Sequence, residues 1–451
     1  MSTARADLPT EVFLLPHGDH RVLFFPLLGK SYLVNIPFAE AVRSLIDSAR
    51  KKDDSEKERS PQDREIYEFF HRERLFARLE TRPRGGNPTF APTAVSLFLT
   101  TECPLRCVYC YSSAGERAPR RLPFHMAAEA VDHVVSNAVN LRRDNVTVVF
   151  HGGGEPTAAW PLLQKIVSHA RNKAEEAGVR LHLSMATNGL FDRSKLDWIM
   201  DRFDSLTLSM DGIPAVQDTH RPRADGKGSF RQIWSTAQAL SECGFEFAIR
   251  ATASDRSVRY MEEATGLFAS ELRPGRIHWE PLFSCGRALS SQVGRPEDRA
   301  FIEGFKRSYE IGRAAGIDVF YSGARFGAIT DKFCLAAGES FCLTPDGSIT
   351  ACYEVNSGDD PRSESFFYGG YIDGKFAVDE ERLGRLAERT APNIEACRDC
   401  FCKFTCAGDC LARNYSGPDL GQIKQSRCTI NQELTKFQIL RSFEIVDAAV
   451  R

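Results

Sequence analysis

Fourteen cysteines stand in this chain of 451 residues, and twelve of them gather in two places. Three lie close together as Cys103, Cys107 and Cys110, and nine follow residue 330. Thiolates at such short spacings hold metal. The first three follow an apolar run, Ala94 to Leu99, that reads as a strand, so their sulfurs sit on a loop leaving a strand end. Such a loop can wrap one iron-sulfur cube. A four-iron cluster takes four thiolates, so three leave one iron open, and an open metal position is a reactive one. The same residues also read as a zinc site completed by a distant Cys or His, or as three unrelated buried cysteines.

Cys103-x3-Cys107-x2-Cys110, with Tyr109 before the last cysteine, resembles the radical S-adenosylmethionine (SAM) superfamily. Three further segments match that family in order. The strand Val146 to Phe150 runs into His151-Gly152-Gly153-Gly154-Glu155-Pro156, similar to the Gly-Gly-Glu-Pro motif that binds the amino group of SAM. Glycines there let the backbone approach a ligand. Leu206 to Gly212 resembles the fourth-strand motif, whose serine (here Ser209) and a later arginine (here Arg221) contact SAM, and Leu282 matches a position near the adenine. Each of these segments alone is a weak signal. Their order, each at a strand end, carries the resemblance.

The later cysteines narrow it. Cys334-x12-Gly347-x4-Cys352, then Cys397-x2-Cys400-x5-Cys406-x3-Cys410, then Cys428, resemble the SPASM domain, an auxiliary-cluster extension of peptide-modifying radical SAM enzymes. Cys342 adds an eighth thiol, as in anaerobic sulfatase-maturating enzymes, although its distance from Cys334 departs slightly from theirs. The resemblance implies three 4Fe-4S clusters. One, on Cys103, Cys107 and Cys110, binds SAM. Cys334, Cys342, Cys352 and Cys410 hold a second, and Cys397, Cys400, Cys406 and Cys428 a third. A pair of zinc ribbons is the bland alternative, which the x5 and x3 spacings disfavour. Cys243 and Cys285 read as small apolar residues, and Cys402 as a bystander in the last cluster loop.

The elements that must position these groups form three blocks. From Ala94 to about Phe320, strands alternate with helices: Ala94 to Leu99, Val146 to Phe150, Leu181 to Met185, Leu206 to Met210, Phe245 to Thr252 and Ile277 to Leu282, with helices such as Met126 to Leu141, Trp160 to Ala177 and Phe230 to Glu242 between them. Alternation of this kind gives a parallel sheet. The fold class expected is α/β, a partial (β/α)6 TIM-like barrel over residues 94–325 with its ligand sites at the strand C-terminal ends. A cysteine-rich SPASM domain follows over 326–451. Before the barrel, Val12 to Leu15, Arg21 to Phe25 and Tyr32 to Ile36 read as strands, and Phe38 to Ala49 and Asp63 to Leu79 as helices, with a solvated charged loop, Lys51 to Arg59, between those helices. This winged α+β module, residues 1–84, resembles leader-peptide recognition elements, which add the leader as a strand to a sheet edge. A capping subdomain is the plainer reading. Arg82 to Pro92 reads as a linker, placed at 85–93 between the two domains.

The resemblance implies reductive cleavage of SAM to methionine and a 5′-deoxyadenosyl radical, which takes a hydrogen atom from a ribosomally made precursor peptide. Oxidative crosslinking through a thioether, C–C or C–O bond would follow, with the auxiliary clusters removing an electron and a flavodoxin or ferredoxin as donor. A base is then needed, and Glu354 and Tyr353, beside Cys352, are the candidates; a surface role for Glu354 is the plainer one. His151 could move protons or simply bond backbone, while Asp211 and Arg250 fit the wall of the SAM pocket. A formylglycine-forming sulfatase maturase, a small-alcohol dehydrogenase, and a non-catalytic electron-relay or binding protein are the other readings. With 42% apolar residues the chain can bury a large core, and its net charge of −2 gives no sign of a nucleic-acid surface. No secretory core in Met1 to His20 and no bilayer-length apolar run point to the cytoplasm, whose reducing conditions keep thiols free for metal.

Overall fold

Strict alternation of apolar side chains in the first strands sends them to two different partners. A computed structural model of the chain describes residues 11–50, 60–75, 90–334, 340–415, 417 and 427–449. Within it, β1 (Phe13–His17), β2 (His20–Phe25) and β3 (Lys30–Asn35) form an antiparallel sheet in that order. Leu23 and Phe25 point to one face, where they meet Val42 and Ile46 of α1 (Ile36–Arg50) and Ile66 and Phe70 of α2 (Pro61–Arg72). Leu15, Val22 and Phe24 point to the other and pack on Ile439 of the C-terminal helix. The second helix is started by a capping box in which Ser60 and Asp63 each accept a hydrogen bond from the other's backbone N–H at 3.1 Å. The expected charged loop and linker, and the last turns of the helix expected to reach Leu79, lie wholly or largely outside the described residues.

The barrel strands are β4 (Ala94–Leu97), β5 (Asn145–Phe150), β6 (Arg180–Thr187), β7 (Ser205–Ser209), β8 (Phe247–Ala253) and β9 (Arg276–Pro281), each parallel to the next. All six expected strands are present. Helices α3 (Phe124–Asn140), α4 (Trp160–Ala177), α5 (Arg193–Arg202), α6 (Pro214–His220), α7 (Phe230–Glu242), α8 (Met261–Glu271) and α9 (Asp298–Ala315) lie between or after them. Residues such as Val148, Leu183, Leu208, Ile249 and Ile277 are buried in the common apolar core. Their strand neighbours Ser96, Ser184, Ser209, Arg250 and His278 share the opposite face, as the period of two requires.

Two further parallel strands flank the six. β10 (Asp318–Phe320) joins β9, and β11 (Ser340–Leu343) joins β4, pairing Ser340 with Ala94 and Cys342 with Ser96. An antiparallel meander of β12 (Ser348–Thr350), β13 (Phe367–Ile372) and β14 (Lys375–Val378) continues from β11, so one sheet of 11 strands runs from the barrel into the cysteine-rich segment. Helix α10 (Cys428–Ala449) closes the molecule against α9, with Arg441 on Glu310 at 2.5 Å and the Phe437 and Tyr309 rings edge to face.

Candidate functional site

The loop after β4 carries the first three cysteines, and it is held by its backbone. Arg106 folds back so that Nη1 donates to the carbonyls of Cys103 (2.7 Å) and Leu105 (2.9 Å) and Nη2 to that of Gly115 (2.9 Å). Arg287 reaches across with Nη1 on the Cys107 carbonyl (2.7 Å) and Nη2 on that of Ala114 (2.9 Å), while its own N–H bonds the Cys110 carbonyl at 2.9 Å. Val108 N–H bonds the His220 carbonyl at 2.9 Å and Arg106 N–H that of Pro222 at 2.7 Å. The carbonyls of all three cysteines are thus taken by donors. Burial pushes the Cys103 thiol up to about 12 and the Cys107 thiol up to about 11, so deprotonation here calls for bound cationic metal.

The glycine turn after β5 lies against this loop. Gly152 and Gly153 have φ of 53° and 68°. A Cβ on Gly154 would fall 2.1 Å from the Glu102 carbonyl oxygen and 2.8 Å from the Glu102 nitrogen and the Thr100 oxygen. Only glycine fits there. Glu155 N–H bonds the Glu102 carbonyl at 2.8 Å, and Ser112 Oγ donates to the Gly153 carbonyl at 2.6 Å. The Glu155 carboxylate is buried and accepts from Thr157 N–H (3.2 Å) and Oγ1 (2.9 Å), Thr187 Oγ1 (2.7 Å) and Asn188 N–H (2.8 Å), which opposes the rise in pKa that burial imposes. It bolts the turn to the end of β6. Asn188 Nδ2 in turn lies 3.7 Å from Cys103 Sγ, a contact the sequence signalled only as Asn-Gly after a strand.

Asp211, just beyond β7, is the hub of the next cluster. Its carboxylate accepts from Tyr109 OH, Arg221 Nη2 (3.2 Å) and Thr252 N–H (3.0 Å), lies 3.1 Å from Arg221 Nε and meets His220 Nδ1 at 3.3 Å. Burial pushes its pKa up, but Arg221 and His220 overcome this and hold it well below the usual carboxylate range. The Arg221 guanidinium stands over the Tyr109 ring at 5.3 Å, and Val108 and Tyr109 pack on Leu282, Ala288 and Val293. Tyr109, Arg221 and Leu282, from three separate parts of the chain, therefore form one wall beside the cysteine loop. Ser209 ends β7 opposite Arg250 of β8 and makes no side-chain hydrogen bond among the described residues.

The later thiols fall into two neighbourhoods. Burial, then the charges of Glu354, Cys410 and Cys334, raise the pKa of Cys352, and burial and Cys334 raise that of Cys342. Burial, then Cys406, Cys400 and Cys428, push Cys397 up to about 12. Cys352 and Cys342 thus share Cys334 as a neighbour, with Cys410 also near Cys352, and Cys397 lies near Cys406, Cys400 and Cys428. Asn431 of α10 donates to Cys406 Sγ at 3.1 Å and Gln432 to Cys400 Sγ at 3.6 Å. Cys402 is buried with its sulfur 3.3 Å from that of Cys400, whose pKa it pulls down to about 6. Cys243 is exposed, whereas Cys285 sits half-buried within the field of Glu354.

Between the cysteine loop and the first neighbourhood stands a polar wall that sequence reasoning found only in part. Tyr353 bonds Ser96 Oγ at 2.9 Å and stacks on His151 with ring centroids 4.0 Å apart. Burial and Arg250 lower the His151 pKa to about 4, leaving a neutral ring whose buried Nδ1 has no partner among the described residues. Arg413 clamps Glu354 Oε1 with Nε (3.0 Å) and Nη2 (2.9 Å), while buried Glu354 Oε2 accepts no hydrogen bond among the described residues and pairs with Arg362 Nη1 at 4.0 Å. Glu280, at the end of β9, binds Arg413 (2.8 Å), Arg427 (2.7 Å) and His278 (3.0 Å). Nothing in the sequence marked Glu280, Arg413 or Arg427, because they belong to no short motif.

Among the described residues no three His, Cys, Asp or Glu side chains close on a single metal ion, and no helix is long and apolar enough to cross a membrane. Residues 97–253 match the Radical SAM superfamily, which makes this part of the chain a radical SAM domain. The mycofactocin maturase MftC of Mycolicibacterium smegmatis is 27% identical over 359 residues, spanning 73% of this chain and 82% of the relative. A serine-type anaerobic sulfatase-maturating enzyme of Klebsiella aerogenes is 22% identical over 337 residues, 69% of this chain and 77% of its own length. SuiB of Streptococcus suis, solved with S-adenosylmethionine, superposes with a TM-score of 0.54 at 13% identity over 94% of this chain and 99% of that one, and its structure with the precursor peptide SuiA gives 0.52. The fold is the partial barrel of that group.

Proposed function

We propose that this chain, built on a radical SAM domain, is a peptide maturase that oxidatively crosslinks a ribosomal precursor peptide. The observation that supports this best is the grouping of thiols: a loop of three beside the barrel mouth, and two further groups, one around Cys352 and one around Cys397 that also holds Cys402 against Cys400. The relatives point the same way, since one is a maturase and SuiB has been solved with its precursor peptide.

A four-iron cube on Cys103, Cys107 and Cys110 would supply, when loaded, the electron that splits SAM into methionine and a 5′-deoxyadenosyl radical. The protein's own part is position. Gly153, Gly154 and Glu155 form the turn for the methionyl end, Ser209 offers a free hydroxyl, and Arg221, Tyr109 and Leu282 form the wall for the rest of SAM. Of these, Glu155 and Arg221 spend their described hydrogen bonds on protein, so they act by fixing the pocket's shape. Glu354 is the proposed base: Arg413 keeps Oε1 occupied, and Oε2, with only the Arg362 guanidinium at 4.0 Å beside it among the described residues, would take the proton that leaves with the oxidised bond. Tyr353, held by Ser96 and His151, is the second candidate beside it. The two four-thiol sets would hold two auxiliary clusters that take the surplus electron and return it to a flavodoxin- or ferredoxin-type donor.

The module before the barrel, residues 1–84, is proposed to bind the leader, with the barrel at 94–325 and the auxiliary-cluster domain at 326–451. Placement in the cytoplasm, with no membrane or nucleic acid involved, completes the reading. The test is the mass of a short peptide encoded beside this gene after anaerobic incubation with reconstituted enzyme, SAM and reductant. A loss of two hydrogens is expected. A sulfatase maturase is the second reading, favoured by the Klebsiella relative; formylglycine formed on a sulfatase-derived peptide, with the neighbouring peptide untouched, would put it first.

A further inference from the structure

Several buried or half-buried arginines here face carboxylates. Arg221 lies on Asp211, Arg413 on Glu280 and Glu354, and Arg427 on Glu280 and Asp409. Two others do not. Arg325 donates from Nε to the Thr405 carbonyl (3.1 Å) and from Nη1 to the Phe333 carbonyl (2.8 Å), and its Nη2 is buried without a partner. Arg389, 8% exposed, donates from Nη2 to the Gly408 carbonyl (3.1 Å), and its Nε is buried without a partner.

Neither has an ion-pair partner among the described residues. The carboxylate near both, Asp409, is occupied by Arg427 and by Asn414 at 2.7 Å. A guanidinium taken out of water without a carboxylate bonded to it is costly, so Arg389, which is buried, and Arg325, which is half-buried with its Nη2 enclosed, need an explanation. Their positions give one. Phe333 precedes Cys334 of the first thiol set, and Thr405 precedes Cys406 of the second, so Arg325 ties the two cysteine segments together. Gly408 lies between Cys406 of one set and Cys410 of the other, and there φ is +74° and a Cβ would come within 3.0 Å of Arg389 Nη1. The thiols whose charge each arginine feels are also drawn from both sets: Cys406 and Cys334 for Arg325, and Cys397, Cys410 and Cys406 for Arg389.

We propose that Arg325 and Arg389 are fixed counter-charges shared by the two auxiliary clusters, positioned between them to stabilise the reduced state of each. This rests on the reading above that both four-thiol sets hold iron. A four-iron cube on four thiolates is anionic and becomes more so on reduction, and its potential follows local charge and hydrogen bonds to sulfur.

The test uses the full chain with Cys103, Cys107 and Cys110 replaced by Ala, reconstituted anaerobically and titrated electrochemically while the reduced auxiliary clusters are followed by electron paramagnetic resonance. Arg389→Gln and Arg325→Gln are expected to lower the reduced-to-oxidised ratio at fixed potential about tenfold, which is about 59 mV for a one-electron couple. Arg389→Lys and Arg325→Lys, which keep the charge, are expected to stay within about threefold of the parent by the same electrostatic argument. If each Gln variant matches its Lys counterpart, whether both keep the parent potential, both fall or both lose iron, charge is not what these residues supply and the proposal is overturned. A parent protein that binds no auxiliary iron fails earlier: it sinks the two-cluster reading and this inference with it.

Discussion

Replacing Gly154 by Ala tests whether the glycine turn and the cysteine loop are one rigid unit. The added Cβ would sit 2.1 Å from the Glu102 carbonyl oxygen, and the atoms beside it are backbone, which cannot swing aside as a side chain would. The two segments must separate, breaking the 2.8 Å bond from Glu155 N–H to Glu102. That bond contributes about 1 kcal/mol, and forcing an extra carbon into packed surroundings costs about 1–3 kcal/mol more, so a loss of about 2–4 kcal/mol is expected in urea unfolding of the metal-free chain. The separation also moves Gly153 away from the cysteine loop, so SAM affinity of the reconstituted enzyme, measured by equilibrium dialysis, should fall at least about tenfold, the equivalent of about 1.4 kcal/mol. Gly178→Ala is the control. Its φ is +66° with nothing within 4 Å of the added carbon, so it should cost about 1–2 kcal/mol of backbone strain and leave SAM binding alone. A Gly154→Ala enzyme with parental stability and parental SAM affinity would refute the reasoning.

Other outcomes follow from the same geometry. Asp211→Asn strands the buried Arg221 and should cost about 3–5 kcal/mol at neutral pH. Because the folded Asp211 pKa is depressed, its stabilisation is complete above the unfolded value near 3.9 and is lost as pH falls from there toward the folded one, so the Asn variant should lose the corresponding slope in acid unfolding. His151, with its folded pKa lowered to about 4, costs stability as pH drops from about 6.5 toward 4; His151→Phe keeps a ring for Tyr353 to stack on and should flatten urea midpoints between those limits. Glu354→Gln should leave 5′-deoxyadenosine production intact while crosslinked peptide falls about 100-fold, within the range for a positioned base; undiminished product would remove Glu354 from that role. Cys402→Ser should retain all of the roughly twelve irons expected of three cubes, whereas Cys428→Ser should lose about four.

What the sequence made legible was local. The six barrel strands and the cysteine loop each rest on patterns spanning a few residues, and they appear within a few residues of where those patterns put them. The proposed division of eight thiols into two sets came only through resemblance, because it pairs cysteines such as Cys352 and Cys410 that lie far apart in the chain. β10 and β11 went unread for a different reason: at three and four residues they are too short to show a period of two. The Asp211 hub was half visible, as a strand-end acid, but its partners Tyr109 and Arg221 come from separate loops. Arg325 and Arg389 carried no signal at all, since an arginine without a carboxylate neighbour looks in sequence like any surface residue.

The pairing of β11 with β4 bears on how the protein is made. During synthesis β4 emerges early, and β5 can cover one of its edges soon afterwards. Its other edge, an apolar strand with unpaired backbone groups, waits for Ser340–Leu343, which emerge only after the remaining barrel units. Such an edge invites pairing with another chain, and contacts this distant in sequence form slowly. The nascent barrel is therefore open along the strand that feeds the cysteine loop until the last third of the chain arrives. Ribosome stalling before residue 340 should yield an aggregation-prone intermediate, while metal loading of the first loop must await closure of that edge or be protected from its consequences by a chaperone.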